Sequence, residues 1–409
     1  MRRLCSLLGM PQHRFASIHV VGTNGKTSVT RMTAALLEAH GVRTGAYVSP
    51  HIRSWRERIL IGGEPIDEQA FLGALERTEE AAKVADRSAG DEGPVTQFEL
   101  VTAAAFVAFA KARVKIAVVE AGLGGRLDAT NVLPSKLTVL TSIGLDHTEW
   151  LGETLEEIAA EKLAVLRDHT TLITGELPAE VEPVVRRATE RSRARVVEPI
   201  ADPGRESREQ LQQAGTQEYR AGTHGYPASN RVLAEAAART VLDRTAWREE
   251  AASGLELERS VPGRAEVSGG EPPLVFDAAH NPDGARALAQ LLPDLVPDLE
   301  VICCLAVLSE KDAKGIAEAL APACSHFVCT EIPEEAIRGS GRPIGSSHPA
   351  EGLAELCRGT GAEAEAIRDP LQAWERARRL AREQGAAALA AGSHYLLAVI
   401  WTERPGPSY

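Results

Sequence analysis

The chain has 409 residues, of which 44% are hydrophobic and 25% charged, and its formal net charge is -12. That length exceeds one comfortable core, so two domains are expected, and the composition is that of an ordinary soluble globular protein. An acidic balance without any block of clustered lysines and arginines disfavours nucleic-acid binding, and no stretch approaches the roughly 20 apolar residues a membrane helix needs.

The opening segment, MRRLCSLLGMPQHRF, has two arginines and a brief apolar run, Leu4–Met10, broken by Cys, Ser and Gly and stopped at Pro11. A secretory leader needs a longer apolar region, so a cytoplasmic location is expected. Ser17–Val21 is a short β-branched run. A glycine-containing loop follows, then Lys26–His40 with helical apolar spacing, ended by Gly41. Strands are expected again at Thr44–Val48, Lys115–Val119, Leu137–Thr141 and Thr170–Thr174. Helices are expected at Asp67–Val84, Thr96–Lys111, Thr154–Leu166 and Pro178–Arg191. Such continuous apolar strands suit a parallel sheet covered on both faces. Asp202–Thr223 is polar and patternless, which reads as a surface excursion, and Ser229–Trp247 is amphipathic.

The alternation restarts after Leu255–Pro262. Leu274–Phe276, Val301–Val307 and Phe327–Cys329 read as strands, and Pro282–Leu292, Asp312–Leu320 and Asp369–Glu383 as helices. The expected fold class is α/β: a parallel-sheet P-loop ATPase domain over 1–256, then a smaller Rossmann-like α/β domain over 257–409. The six cysteines read as buried thiols. Cys324, His326 and Cys329 could be taken for metal ligands, but the strand-like alternation of HFVCTEI splays them to both faces.

Gly22-Thr23-Asn24-Gly25-Lys26-Thr27-Ser28 follows a strand and opens a helix. Such a turn aims backbone N–H groups and the positive helix end at an anion, while the lysine reaches outer phosphates and the next hydroxyl approaches magnesium. The longer form of this motif would want Gly at position 20, which is Val20; what stands here is G-x-x-G-K-T. Three polar residues sit just past apolar strands: Ser49, Glu120 and His147. In an open parallel sheet the carboxyl ends of strands form the ligand edge, and magnesium needs only a few protein oxygens. Taken singly, Ser49 also reads as a turn hydroxyl, Glu120 as a helix cap and His147 as a satisfied polar residue. Beyond Glu120, Ala-Gly-Leu-Gly-Gly-Arg-Leu-Asp-Ala-Thr-Asn131 reads as a tight loop that lets backbone approach a ligand.

Together these segments resemble the folylpolyglutamate synthase/dihydrofolate synthase family, a branch of the Mur ligase superfamily. The resemblance is carried by IHVVGTNGKTSVTRM, SPHIRSWRERILIGGEPI, TQFELVTAAAFVAFA, VVEAGLGGRLDATN and IGLDHTEWLGETLEEIAAEK. In the second half it rests on VPGRAEV, FDAAHNPDGARAL and a weaker GSHYL, Gly392–Leu396. It implies that Gly22–Ser28 hold ATP phosphates, that Ser49, Glu120 and His147 bind magnesium as two ions, and that Lys162 is carbamylated by CO2. Without the resemblance Lys162 reads as a surface helix lysine. Asn230, Arg264 and Asp277 match ATP contacts, and His280, with Asn281, sits where the family places the incoming glutamate. Lys26, Lys162 and His280 are the residues implied in catalysis. Thr96, Gln97, Phe98 and Glu99, with Leu127, Asp128 and Ala129, match pterin-substrate contacts, Phe98 being suited to stack on a flat ring. The implied reaction moves the γ-phosphoryl group of ATP onto a carboxylate, and glutamate's amine then displaces phosphate from the acyl phosphate. A monomer is implied.

This sequence departs from the family in reading Gly-Lys-Thr-Ser where Gly-Lys-Gly-Ser is usual, and Asp277-Ala-Ala-His-Asn281 where the second residue is usually Gly. The family also has a longer N-terminal segment at the pterin site, whereas 21 residues precede Gly22 here. Either the chain starts late or that pocket is built differently. A Mur-type ligase acting on a cell-wall precursor or another carboxylate is the alternative, slightly favoured by Thr27. A nucleotide-binding protein that has lost catalysis is the other, and retention of Lys26, Glu120, His147 and Lys162 argues against it.

Overall fold

The computed structural model describes residues 1–87, 93–197, 199, 226–242, 246–253, 255, 261–339 and 345–401. The stretch Asp202–Thr223 and residues 256–260 lie outside the described residues. The chain forms two compact units. One holds Met1–Ser49, Ser54–Arg220 and Tyr226–Ser260, and the other Pro50–Arg53, Ala221–Gly225 and Val261–Tyr409. Among the described residues no helix is long and apolar enough to cross a membrane.

The first unit is built on eight strands: β1 (Ala16–Val21), β2 (Thr44–Tyr47), β3 (Ile59–Ile61), β4 (Glu64–Pro65), β5 (Ile116–Glu120), β6 (Leu137–Leu140), β7 (Thr171–Thr174) and β8 (Arg195–Val197). Their order is β4-β3-β2-β5-β1-β6-β7-β8. The six strands from β2 to β8 pair in parallel, while β3 and β4 form an antiparallel edge. β1 lies at the centre and is buried from Ser17 onward because helices cover both faces. On one face Ile18 and Val20 pack with Val29, Met32 and Leu36 of the helix Lys26–Ala39. The other face is covered in part by the helix Gln97–Lys111, buried continuously from Val101 to Phe109, the signature of a helix apolar all round. The register sets Val20 beside Glu120 and Val21 beside Leu140, so three chains leave the sheet side by side at its carboxyl edge.

The second unit has six strands: β9 (Glu266–Ser268), β10 (Leu274–Phe276), β11 (Val301–Leu305), β12 (His326–Cys329), β13 (Glu363–Ala366) and β14 (Ala387–Ala391). The order is β13-β12-β11-β14-β10-β9, parallel except for β9. Both sheets are therefore mixed at an edge rather than wholly parallel. The strand β14, AALAA, escaped the sequence reading because alanine carries little strand preference, yet it is central and buried throughout. The helix expected over Thr154–Leu166 is shorter, Leu155–Leu163, and Pro178–Arg191 divides into a 3-10 turn, Ala179–Val181, and the helix Glu182–Ser192. All six cysteines are free and buried, with Cys329 Sγ 3.7 Å from Cys357 Sγ.

Candidate functional site

The chain leaves β1 at Gly22, whose φ of 151° and surroundings exclude a side chain: a Cβ would lie 2.0 Å from Thr141 Oγ1. The loop is then tied to the segment after β6. Thr23 N–H donates to Ser142 O at 2.9 Å, Asn24 N–H to Ser142 Oγ at 2.9 Å, and Thr141 Oγ1 to Asn24 O at 2.6 Å. Gly25, at φ 82°, opens the helix Lys26–Ala39 without a side-chain cap, so its first N–H groups face the turn. A Cβ on Gly25 would meet Asn230 Oδ1 at 2.4 Å, which sets Asn230, from the helix Tyr226–Val241, against the loop. Lys26 Nζ folds back to donate to Gly22 O and Thr23 O, each at 3.0 Å. Thr23 and Ser28 are buried.

Glu120, buried at the end of β5, joins two of these segments. Its oxygens accept from Thr27 Oγ1 at 3.1 and 2.9 Å and from Ser49 N–H at 3.1 Å. Thr27, Ser49 and Glu120 thus meet at one point beside the phosphate-type loop. His147 stands in the left-handed conformation at φ 52° and starts the short helix Thr148–Leu151. Its backbone N–H donates to Asp146 Oδ1 at 2.9 Å, and Nε2 lies 4.0 Å from the same oxygen. Among the described residues no three His, Cys, Asp or Glu side chains cluster as metal ligands. The donor set is one carboxylate with hydroxyls, which fits a hard cation that keeps most of its water.

Lys162 is not a surface lysine: it falls on the buried face of its helix, with Ile158, Ala159 and Leu163. It is buried at 4% exposure, and Nζ donates to Gly22 O at 2.9 Å. Burial, and then the neighbouring Lys26 ammonium, push its pKa down to about 7, against the opposing pull of Asp146, Asp128 and Glu161. The glycine-rich segment after β5 makes room for this arrangement. A Cβ on Gly125 would lie 2.7 Å from the carbonyls of Glu161 and Lys162, and one on Gly122 would lie 2.4 Å from Phe98 Cζ.

The residues expected at the pterin side divide into two kinds. Thr96 and Glu99 close a capping box at the start of their helix, and Glu99 Oε1 also holds the Met1 amine at 2.5 Å, so both side chains are engaged in building the element. Gln97 is exposed, and Phe98 is half-buried against Tyr47, with ring centroids 6.2 Å apart. Asp128 caps the turn Ala129–Val132, accepting from the backbone of Thr130 and Leu123, each at 2.9 Å, and burial raises its pKa. Thr130 Oγ1 donates to Asp128 and lies 2.7 Å from His19 Nε2, so the imidazole must be the donor there. Burial, and then Arg167, lower the His19 pKa to about 3, which keeps it neutral. Ala129 is buried, whereas Leu127 is 91% exposed.

In the second unit the residues gather after β10 and β14. Buried Asp277 accepts from Ala265 N–H and Ala279 N–H, both at 2.7 Å, fixing the turn. Arg264 Nη2 lies 3.1 Å from His394 Nε2, and the His394 ring stands 5.5 Å from that of His280. His280 Nδ1 donates to Ala278 O at 2.9 Å. Asn281 caps the helix Pro282–Leu295 by accepting from Gly284 N–H at 2.8 Å.

A model of the Mur ligase middle domain matches residues 20–226, and one of the Mur ligase glutamate ligase domain matches residues 263–394. The chain belongs to the Mur ligase family. It is 37% identical over 360 residues to the dihydrofolate synthase/folylpolyglutamate synthase of Mycobacterium tuberculosis, covering 80% of this chain and 72% of that one. The Bacillus subtilis protein of the same name is 30% identical over 357 residues, 82% of each chain. Crystal structures of M. tuberculosis folylpolyglutamate synthase complexed with ADP and AMPPCP superimpose with a TM-score of 0.83 at 31% identity, covering 98% of this chain and 93% of that one. A bifunctional folylpolyglutamate synthase/dihydrofolate synthase with Mn, AMPPNP and L-glutamate bound gives 0.78 at 26% identity, with 98% and 93% covered.

For this Mur ligase the sequence reading missed Thr141 and Ser142, which secure the loop, and Asp146, which accepts from the His147 N–H, and it gave His394 no role although it lies within GSHYL. The signal for Asp146 was present in IGLDHTEW, beside His147. Thr141 carries none, since a threonine ending a strand is ordinary. The Mur ligase loop brings together a helix start without a side-chain cap, the Lys26 ammonium and a carboxylate–hydroxyl pair, which is the equipment for binding and transferring a phosphoryl group.

Proposed function

We propose that this Mur ligase uses ATP and Mg2+ to join a folate-type carboxylate, dihydropteroate and/or a reduced folate, to L-glutamate through an acyl phosphate. The observation that carries this is the meeting of the loop Gly22–Ser28 with Glu120 and buried Lys162 at one strand edge. The similarity to enzymes of that name, and to a relative holding Mn, AMPPNP and L-glutamate, supports the acceptor and the amine.

In this reading the backbone N–H groups of Gly22–Ser28 bind the phosphates, and Lys26 exchanges its loop carbonyls for outer phosphate oxygens. Thr27, Ser49, Glu120 and His147 would hold Mg2+ as two ions, and bound magnesium supplies charge neutralisation on the transferring phosphoryl group. Lys162, with its lowered pKa, offers a neutral amine whose lone pair can add to CO2 with loss of a proton, turning a buried cation into a carbamate anion. Asn230, Arg264 and Asp277 contact the nucleotide, and His280 orients the glutamate. Phe98 and Leu127 present apolar surface to the pterin ring, while Gln97 offers a polar contact beside it. Thr96, Glu99, Asp128 and Ala129 act by fixing that surface. The two domains span 1–256 and 257–409, and the enzyme acts as a cytoplasmic monomer.

The test is ADP release in the presence of glutamate, comparing dihydropteroate with reduced folates. Turnover with either or both acceptors is expected. Activity confined to a UDP-linked muropeptide, the outcome favoured by a Gly-Lys-Thr-Ser loop, would overturn the folate assignment. Absence of turnover with any carboxylate would leave a nucleotide-binding protein.

A further inference from the structure

At the amino edge of the first unit's sheet, opposite the phosphate-type loop, lies a cavity of about 880 Å³. Its rim carries His13, Arg14, Arg77, Lys111, Arg113 and Lys115. All six are exposed, and among the described residues none makes an ion pair and no acidic side chain lines the cavity. In a chain of net charge -12 this is a local reversal of sign. The ordinary explanation would be that Lys111 and Arg113 neutralise the carbonyl end of the helix Gln97–Lys111. That end is already closed by backbone: Ala108 O accepts from Ala112, Ala110 O from Arg113, and Phe109 O from Val114. The side-chain charges are therefore surplus to the helix. Only Arg77 is partly engaged, donating to Leu8 O at 3.3 Å. The floor is apolar: Phe15 and Val114 are core residues, the former packed edge-on against Phe109 at 5.8 Å.

We propose that this cavity is a second binding site, for a small organic polyanion with an apolar portion, separate from the phosphate-type loop. β1 begins at Ala16 on the cavity wall and ends at Val21 before the loop, six residues or about 20 Å away. The cationic rim takes closely spaced negative charges, and the Phe15–Val114 floor takes the apolar body. Two sources share this chemistry if the proposed reaction holds: a nucleotide polyphosphate and a folate bearing several γ-linked glutamates. The choice of probes rests on that reading, but the binding measurement does not.

The experiment is calorimetric titration of the whole chain with inorganic tripolyphosphate and, separately, with tri-γ-glutamate. Lys26→Ala weakens anion binding at the loop, and reversal of the rim charges then separates binding at the cavity from any left at the loop. Expected is one equivalent of at least one probe bound by Lys26→Ala, weakened at least about tenfold when Arg14→Glu, Lys111→Glu and Arg113→Glu are added, and weakened by salt. The milder pair Arg113→Gln and Lys115→Gln, whose folding is checked by thermal melting, should show the same loss in smaller measure. Tripolyphosphate alone points to nucleotide, tri-γ-glutamate alone to the product's tail, and both to a general polyanion site. No stoichiometric binding of either probe, or equal binding after the rim charges are reversed, overturns the proposal. An enzyme inactive with every acceptor yet binding a probe here would sink the reaction and leave the cavity standing.

Discussion

The carboxyl edges of the two sheets are built from similar parts and use them differently. In the first unit, Gly22, Thr27, Glu120 and Lys162 converge from three segments, and Lys26 and Lys162 both donate to the Gly22 carbonyl, held in place by the loop itself. In the second, Asp277 gives both oxygens to backbone N–H groups, and Arg264 donates to His394. One edge gathers charge for an incoming anion; the other spends its polar groups on shaping a turn. Loss of a side chain at the first edge should strike chemistry, and loss at the second should strike binding and local stability.

The largest effect is expected from Glu120→Ala. It removes the carboxylate that accepts from Thr27 and Ser49, and ADP release should fall by about a thousandfold, as when a charge-stabilising group leaves a phosphoryl-transfer site. Near-normal turnover would move the metal elsewhere. Lys162→Ala should come next, losing about a hundredfold in turnover. The pH dependence sharpens this. A folded pKa lowered from 10.5 to about 7 means the unfolded chain binds the extra proton between those values. Lys162 therefore costs stability most below about pH 7, less as pH rises, and nothing above its unfolded pKa. Its reaction with an amine-selective reagent in folded enzyme should have a midpoint near pH 7, and a midpoint near 10 would break the comparison.

Gly25→Ala forces a side chain to φ 82° and into Asn230 Oδ1, so a stability loss of about 1–2 kcal/mol is expected, together with weaker nucleotide binding. The smallest effect belongs to the second edge. His394→Ala removes the acceptor of Arg264, and a rise of about tenfold in the KM for ATP or glutamate, with kcat nearly kept, is expected from one lost hydrogen bond to a charged donor. A kcat loss as large as that of Glu120→Ala would put the two edges on equal terms.

The same contrast explains what could be read from sequence. Gly22–Ser28, Ser49 and Glu120 stood out because a binding turn demands unusual residue types directly after apolar strands. The burial of Lys162 was legible in part: it stands four residues after Ile158 and three after Ala159, on the face of LEEIAAEKL that is buried, but its partner, the Gly22 carbonyl, is 140 residues away in sequence. Thr96 and Glu99 bear the marks of a capping box in sequence, and their side chains close that box, while the neighbouring Phe98 packs against Tyr47. His394 went without a role because its partner Arg264 is 130 residues away. Edge strands such as β3 and β4 are two or three residues long, too short for any period to register.

The alanine strand β14 has its own consequence. Ala388 and Ala390 face Phe276, Trp374 and Trp401, and Phe276 holds both indoles at 5.5 and 5.3 Å. Three aromatic rings fill that layer beside the two alanines, which contribute little more than backbone to it. Evolution has correspondingly little room there. Valine or isoleucine, otherwise the natural residues of a central strand, would have to displace a ring, so drift at Ala388 and Ala390 should be confined to alanine, glycine and serine while the three rings stay fixed.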